Sequence, residues 1–400
     1  MDKVALAQRG HSENARVSRT AYFDCHASTA VDPAVLAIMS GITEENPANA
    51  GSRTHVFGRE AANVIDRNRE AVASTIGARA DEIIFTSGAT ESCNIAVCGL
   101  QDSLSGGGHI VLTSIEHPAV RDATRALLHL GAEVTVVAVN GDGIVCPEEI
   151  ARAIRPNTVL VSAMFANNEV GTLSPVKEIG AVCREAGVLF HTDATQAVGK
   201  VSIDLSRLQV DLMSFSAHKI YGPKGVGALY VNRQTAAGRL KPIMYGGGHE
   251  QGLRPGTLPV PLIAGFGKAC ELSTELMVRD AKRIGLMRDR LWQRIQSEIP
   301  NAVLNGHPTL RLYNNLNVSF LGVPSEAFLV KLRDVVAVSA GSACTSANPE
   351  PSHVLRAMGI YGERLDSAIR FGLGRFNTME EIEHVADHIR DAVAELRCFM

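Results

Sequence analysis

Between residues 60 and 262, short apolar runs alternate with amphipathic stretches of helical period. The runs Ile83–Thr86, His109–Thr113, Val134–Val139, Val159–Met164, Val188–His191, Val210–Phe215 and Val226–Val231 read as strands. Between them, Glu60–Ile76 places Val64, Ile65, Val72 and Ile76 on one face, and Val176–Ala186 shows the same spacing, so both predict helices. Alternation of this kind predicts an α/β fold with a mainly parallel sheet covered on both faces, whose ligands bind beyond the carboxyl ends of the strands. After residue 262 the texture changes. A long helix is predicted over Ala269–Ile299, strands at Asn317–Phe320, Val335–Ser339 and Ala368–Phe371, and a final helix over Met379–Arg397. The chain therefore divides into a large α/β domain, residues 22–262, and a smaller α+β domain, residues 263–400 together with 1–21.

Composition narrows the classes of function. With 46% hydrophobic and 20% charged residues the chain is globular, and a net charge of −3 without a basic run gives no footprint for direct nucleic-acid binding. No run approaches the roughly 18 apolar residues of a membrane span, and the first twenty residues lack the apolar core of a signal peptide. The eight cysteines are scattered, without a C-x-x-C pair. A cytoplasmic protein with free thiols is expected.

Chemistry concentrates at strand ends. Lys219 lies between an apolar strand and a glycine-rich turn, where lost solvation would favour the free amine, although a lysine at a turn can also lay its stem on the surface and keep its head in water. Asp193 stands just past another strand end, where a carboxylate can cap a helix. The same pair suits pyridoxal 5′-phosphate (PLP): an acid keeps the pyridine nitrogen protonated and a lysine holds the aldehyde. The turn Thr86-Ser-Gly-Ala-Thr-Glu91 between a strand and a helix offers amides and hydroxyls to a phosphate. His384 and His388 are four apart on the last helix without a zinc-protease pattern, and Gly106-Gly-Gly108 lacks a P-loop lysine. No metal site is expected.

Six segments carry a resemblance: Thr86-Ser-Gly-Ala-Thr-Glu-Ser92, Glu116-His-Pro-Ala-Val120, Asn167-Asn-Glu-Val-Gly171, His191-Thr-Asp-Ala-Thr-Gln196, Ser216-Ala-His-Lys-Ile-Tyr-Gly-Pro-Lys-Gly225 and Gly246 to Thr257. From Tyr22 onward the chain resembles the cysteine desulfurases, in the class V aminotransferase branch of fold type I PLP enzymes. The resemblance implies that Lys219 forms the Schiff base, Asp193 pairs with the pyridine nitrogen, Gln196 bonds the ring hydroxyl and His117 stacks on the ring. Thr90, Ser216 and His218 would hold the phosphate, with Thr257 reaching the phosphate of a partner subunit in a homodimer. Asn168 and Arg370 match the residues that bind the substrate carboxylate.

The segment Ser339-Ala-Gly-Ser-Ala-Cys-Thr-Ser-Ala-Asn348 resembles the catalytic loop of that family, which makes Cys344 the expected nucleophile. The other seven cysteines fall in strand or helix patterns and are expected to be packed or inert. The implied reaction converts L-cysteine to L-alanine, leaving a persulfide on Cys344 for a sulfur-acceptor protein that serves iron–sulfur assembly, transfer-RNA thiolation or DNA phosphorothioate modification. The chain ends directly after its last helix, which favours a specialised acceptor. Selenocysteine cleavage, transamination on the same fold, or an idle sulfur-relay scaffold are the alternatives. At Asp24-Cys-His-Ala-Ser-Thr29 the chain departs from the family pattern, with Ser28 where a second threonine is usual and Cys25 nearby.

Overall fold

The computed structural model describes residues 20–340 and 351–399. Its strands, in chain order, are β1 (Ala21–Tyr22), β2 (Ile83–Thr86), β3 (His109–Thr113), β4 (Glu133–Val137), β5 (Thr158–Ser162), β6 (Leu189–Asp193), β7 (Leu212–Ser216), β8 (Gly227–Val231), β9 (Ala302–Leu304), β10 (Asn315–Phe320), β11 (Val336–Ala337), β12 (Ser339–Ala340) and β13 (Ala368–Gly372). Seven of them form one sheet in the order β2-β8-β7-β6-β5-β3-β4. The pairs from β7 to β4 are parallel, while β8 runs antiparallel to both neighbours. Because β8 alone is reversed, β2 and β7 point the same way, and their carboxyl ends meet beside the start of β8: Thr86 and Ser216 both lie opposite Gly227.

Strands β2, β3, β6, β7 and β8 are buried along their whole length, as helices on both faces require. A second, antiparallel sheet has the order β12-β13-β10-β9, and β1 pairs with β11 in parallel. The predicted strand Val335–Ser339 is thus two short strands in two different sheets, divided at Val338. An apolar run alone does not reveal which edge each half will join.

The helix expected over Ala269–Ile299 spans Val260–Glu298, opening with Pro261 in its first turn. At 39 residues it joins two cores. Ile263, Phe266, Ala269 and Cys270 pack into the core of the large sheet, whereas Ile284, Met287, Leu291 and Ile295 pack with β10, β13 and the helix Met379–Cys398. Ala21 and Phe23 belong to this second core. No described helix is long and apolar enough to cross a membrane.

Candidate active site

At the carboxyl ends of the large sheet lies a cleft of about 420 Å³. Asp193 closes β6 and Ser216 closes β7, adjacent strands in parallel register, and the single turn Ala217–Lys219 follows β7 directly. Asp193 and Lys219 therefore reach the cleft from neighbouring strand ends, and both line it. Lys219 Nζ donates to His26 O at 2.6 Å and to Ala27 O at 2.8 Å. The turn beyond it is strained: Tyr221 has φ +67, a conformation that costs a side-chain-bearing residue roughly 1–2 kcal/mol. Tyr221 N donates to Thr29 Oγ1 at 2.8 Å, Asp32 N donates to Tyr221 O, and a Cβ on Gly222 would lie 2.9 Å from Ala217 O.

Asp193 is 5% exposed and accepts from Thr195 N at 2.9 Å; no helix begins there, so the contact braces a turn and does not cap a helix, and the residue lines the cleft. Behind it, His191 bridges Ser162 Oγ and Ser214 Oγ at 2.8 and 2.9 Å. Burial lowers the His191 pKa to about 4, so the ring stays neutral under the carboxylate. Thr195 Oγ1 is buried with no hydrogen-bond partner among the described residues, a polar atom left for a ligand. Gln196, one turn on, is 3% exposed and lines the cleft.

The turn after β2 feeds the helix Ala89–Cys98. Ser87 N donates to Glu91 Oε2, Thr86 Oγ1 lies 2.8 Å from Ser92 Oγ, and Arg254 holds the other Glu91 oxygen at 2.9 Å. These contacts hold the turn so that Gly88, Ala89 and Thr90 present the helix N-terminus to the cleft, beside Ser216 and His218. The His218 pKa falls to about 4 through burial first and then the lysines Lys219, Lys224 and Lys200. His218 Nδ1 lies 3.3 Å from Ser28 Oγ, so a hydroxyl survives at the departed position.

His117 caps the helix Pro118–Leu127: its Nδ1 accepts from Ala119 N at 3.1 Å, which puts the proton of the neutral ring on Nε2. Asn168 and Arg370 also line the cleft. Arg370, on β13, is 2% exposed; its guanidinium donates to Asp24 Oδ1 at 2.8 Å and to Asn168 O at 3.1 Å, and Nε has no partner among the described residues. The cleft thus gathers nine of the eleven site residues singled out by sequence. Thr257 is exposed and does not line it, and Cys344 lies outside the described residues.

One expectation about cysteines changes. Cys146 and Cys398 are exposed rather than packed, because each falls at an end of a helix and not on its inner face. Cys25 is buried as expected, its pKa raised to about 12 chiefly by burial, and its Sγ would lie 2.4 Å from a Cβ on Gly374. Among the buried titratable groups that sequence patterns do not reveal, His26, Lys200, Glu116 and Glu169 lie around this cleft. Glu116 and Glu169 are both raised to about 7, burial being the main cause, and Glu169 accepts from Ser352 Oγ at 2.5 Å. Nothing in the local pattern says that any of these side chains turns inward.

Comparison with known proteins agrees with this geometry. The class-V aminotransferase family matches residues 21–385. A mitosomal cysteine desulfurase of Trachipleistophora hominis is 48% identical over 99% of this chain and 90% of its own length. Among solved structures, a NifS-like protein superposes with a TM-score of 0.87 at 35% identity, covering 94% of this chain and all of its own. A structure titled SspA in complex with cysteine gives 0.80 at 36% identity, covering 90% of this chain and all of its own. Enzymes of this kind depend on PLP, and with a buried strand-end acid, a neighbouring lysine and a helix N-terminus at one cleft, the chain belongs to the cysteine desulfurases of the class-V aminotransferase family.

Proposed function

We propose that the cleft holds PLP with Lys219 on its aldehyde, Asp193 at its ring nitrogen, Gln196 at its ring hydroxyl and His117 over its ring. Thr90, Ser216 and His218 would hold its phosphate, and Cys344 would take sulfur from L-cysteine. The observation that carries this reading is the convergence of Asp193 and Lys219 from adjacent parallel strand ends, beside the helix N-terminus at Gly88–Thr90. Bound PLP supplies an electron sink for the bond at the substrate carbon next to the amine. The chain supplies the rest. Arg370 and Asn168 grip the substrate carboxylate and orient its Cα. Lys219 Nζ takes the Cα proton, and His117, with its proton on Nε2, exchanges a proton with the substrate thiol. The Cys344 thiolate attacks the substrate sulfur, an S–S bond forms, and the electrons of the broken C–S bond remain on carbon, which takes a proton to give L-alanine.

Both described flanks of the Cys344 segment are tied close to the cleft. Ser339 on β12 lies opposite Arg370 on β13, and Ser352 bonds to Glu169, which follows Asn168. Thr257, exposed and away from this cleft, fits delivery to the phosphate of a second copy in a homodimer. All seven described cysteines are free, which fits action in the reducing cytoplasm, with the persulfide sulfur passing to an acceptor protein. Cys344→Ser is expected to remain yellow with PLP and to form no persulfide from L-cysteine; undiminished sulfide release by this variant would remove Cys344 from the reaction.

A further inference from the structure

Gln196 is held from two sides by buried groups that the reaction itself does not use. Its Oε1 lies 3.0 Å from His26 Nδ1 and 3.2 Å from Lys200 Nζ, and its Nε2 donates to His26 O at 2.9 Å. Lys200 Nζ also donates to Gln196 O at 3.1 Å. The far side of His26 fixes which nitrogen carries its proton. His26 Nε2 lies 3.1 Å from Asn315 Nδ2, and the Asn315 amide is oriented by Arg311 Nη2, which donates to its Oδ1 at 2.7 Å, and by Glu169 O, which accepts from its Nδ2 at 3.1 Å. Asn315 therefore donates, His26 Nε2 accepts, and the proton sits on Nδ1, aimed at Gln196 Oε1.

This tautomer is stable because the ring stays neutral. His26 is 1% exposed and faces the cations Arg370, Lys200 and Lys219; burial first, then those charges, hold its pKa well below the ordinary histidine value. Lys200, facing Lys219 and the Cys25 thiol, is lowered to about 7, again by burial before charge. Both neighbours of Gln196 Oε1 are thus donors. Flipping the amide would set its NH₂ against a ring N–H and an amine, so the orientation with oxygen inward is locked. One Nε2 hydrogen serves His26 O, and the second is left as a donor for the cleft that Gln196 lines.

We propose that His26 and Lys200 are a positioning pair that makes Gln196 an obligate hydrogen-bond donor to the PLP ring oxygen, and thereby lowers the pH at which the Lys219 Schiff base gives up its proton. The chemistry is that of the ring oxygen: its negative charge is fully developed only when the Schiff-base proton has left, so a donor held against it favours the deprotonated form. The inference rests on the PLP reading above.

The test is the pH titration of the visible absorbance of the PLP-loaded protein. Wild type is expected to be yellow with a defined midpoint. Gln196→Ala should raise that midpoint by about 1–2 pH units, the equivalent of one hydrogen bond to a charged group. Lys200→Met, which keeps the packed stem, and His26→Ala should move it in the same direction. His26→Asn, which restores a donor at the Nδ1 position, should return it toward wild type. Added to Gln196→Ala, neither substitution should shift it further, since both act through that amide. Unchanged midpoints in Lys200→Met and His26→Ala alongside a shifted Gln196→Ala would overturn the inference, as would shifts of full size in the Gln196→Ala background. A wild type that stays colourless with added PLP would instead overturn the cofactor reading on which it rests.

Discussion

In one part of the cleft, Asp193 and Lys219 leave the ends of two adjacent parallel strands; in another, Asp24 and Arg370 meet across 346 residues of sequence. His26 and Asn315, 289 residues apart, repeat the second pattern. The first part is fixed by the ladder of a single sheet, where register alone sets the spacing of the functional groups. The second exists only when the core around β10 and β13 has closed on the segment after β1. Substitutions in the two parts should therefore fail differently: chemistry without much loss of stability in the first, chemistry together with stability in the second.

The largest effect belongs to Lys219→Ala. Losing a proton acceptor at Cα is expected to lower L-alanine production by on the order of 10³-fold or more, and to abolish the yellow absorbance. The apo-protein should lose no more than about 1 kcal/mol in denaturant unfolding, since the carbonyls His26 O and Ala27 O that Lys219 leaves belong to residues lining the cleft, where water can serve them. A large fall in stability would show that the strand-end part is no more independent than the other.

Arg370→Lys probes the assembled part. A lysine keeps the charge but not the fork that reaches both Asp24 Oδ1 and Asn168 O, so kcat/KM for L-cysteine should fall by about 10- to 100-fold, mostly through KM. Here the apo-protein should also lose about 1–3 kcal/mol, because Asp24 keeps only part of its partner in a partly buried pair. Undisturbed stability would erase the distinction between the two parts.

The same contrast governs what the sequence discloses. The strands of the large sheet and the residues at their ends follow from apolar runs bounded by turn residues, and Asp193, Lys219 and Thr90 could be singled out because each sits next to a recognisable strand. Arg370 looks like an ordinary charge within an apolar strand, and only the family resemblance marks it. His26 and Lys200 carry no local sign at all: their burial comes from β10 on one side and from Gln196 on the other. The long helix was misplaced at its start for a related reason. Its first turns, Val260–Gly267, hold two glycines and a proline and bury their surface against the large sheet's core, so packing and not helical propensity sets where the helix begins.

Glu116 offers the finest test, within the strand-end part itself. Its Oε1 accepts from Thr113 Oγ1 at the end of β3 and from Met164 N just past β5, while Oε2 is buried with no partner among the described residues. Burial raises its pKa from 4.5 to about 7, so between those values the folded protein binds a proton that the unfolded chain has released. Stability from this group is then complete below about pH 4.5 and is lost as pH rises through 7, by about 1 kcal/mol per pH unit. Glu116→Gln keeps the accepting oxygen and cannot ionise. Its stability relative to wild type should climb between pH 4.5 and 7 in denaturant titrations of the apo-protein. Taking the difference cancels the opposite slope from His191 and His218, whose pKa values are lowered to about 4. A flat difference would mean that the folded protein carries Glu116 ionised, with a cation or water serving Oε2, and that the strand ends hold their acids without the cost of burial seen here.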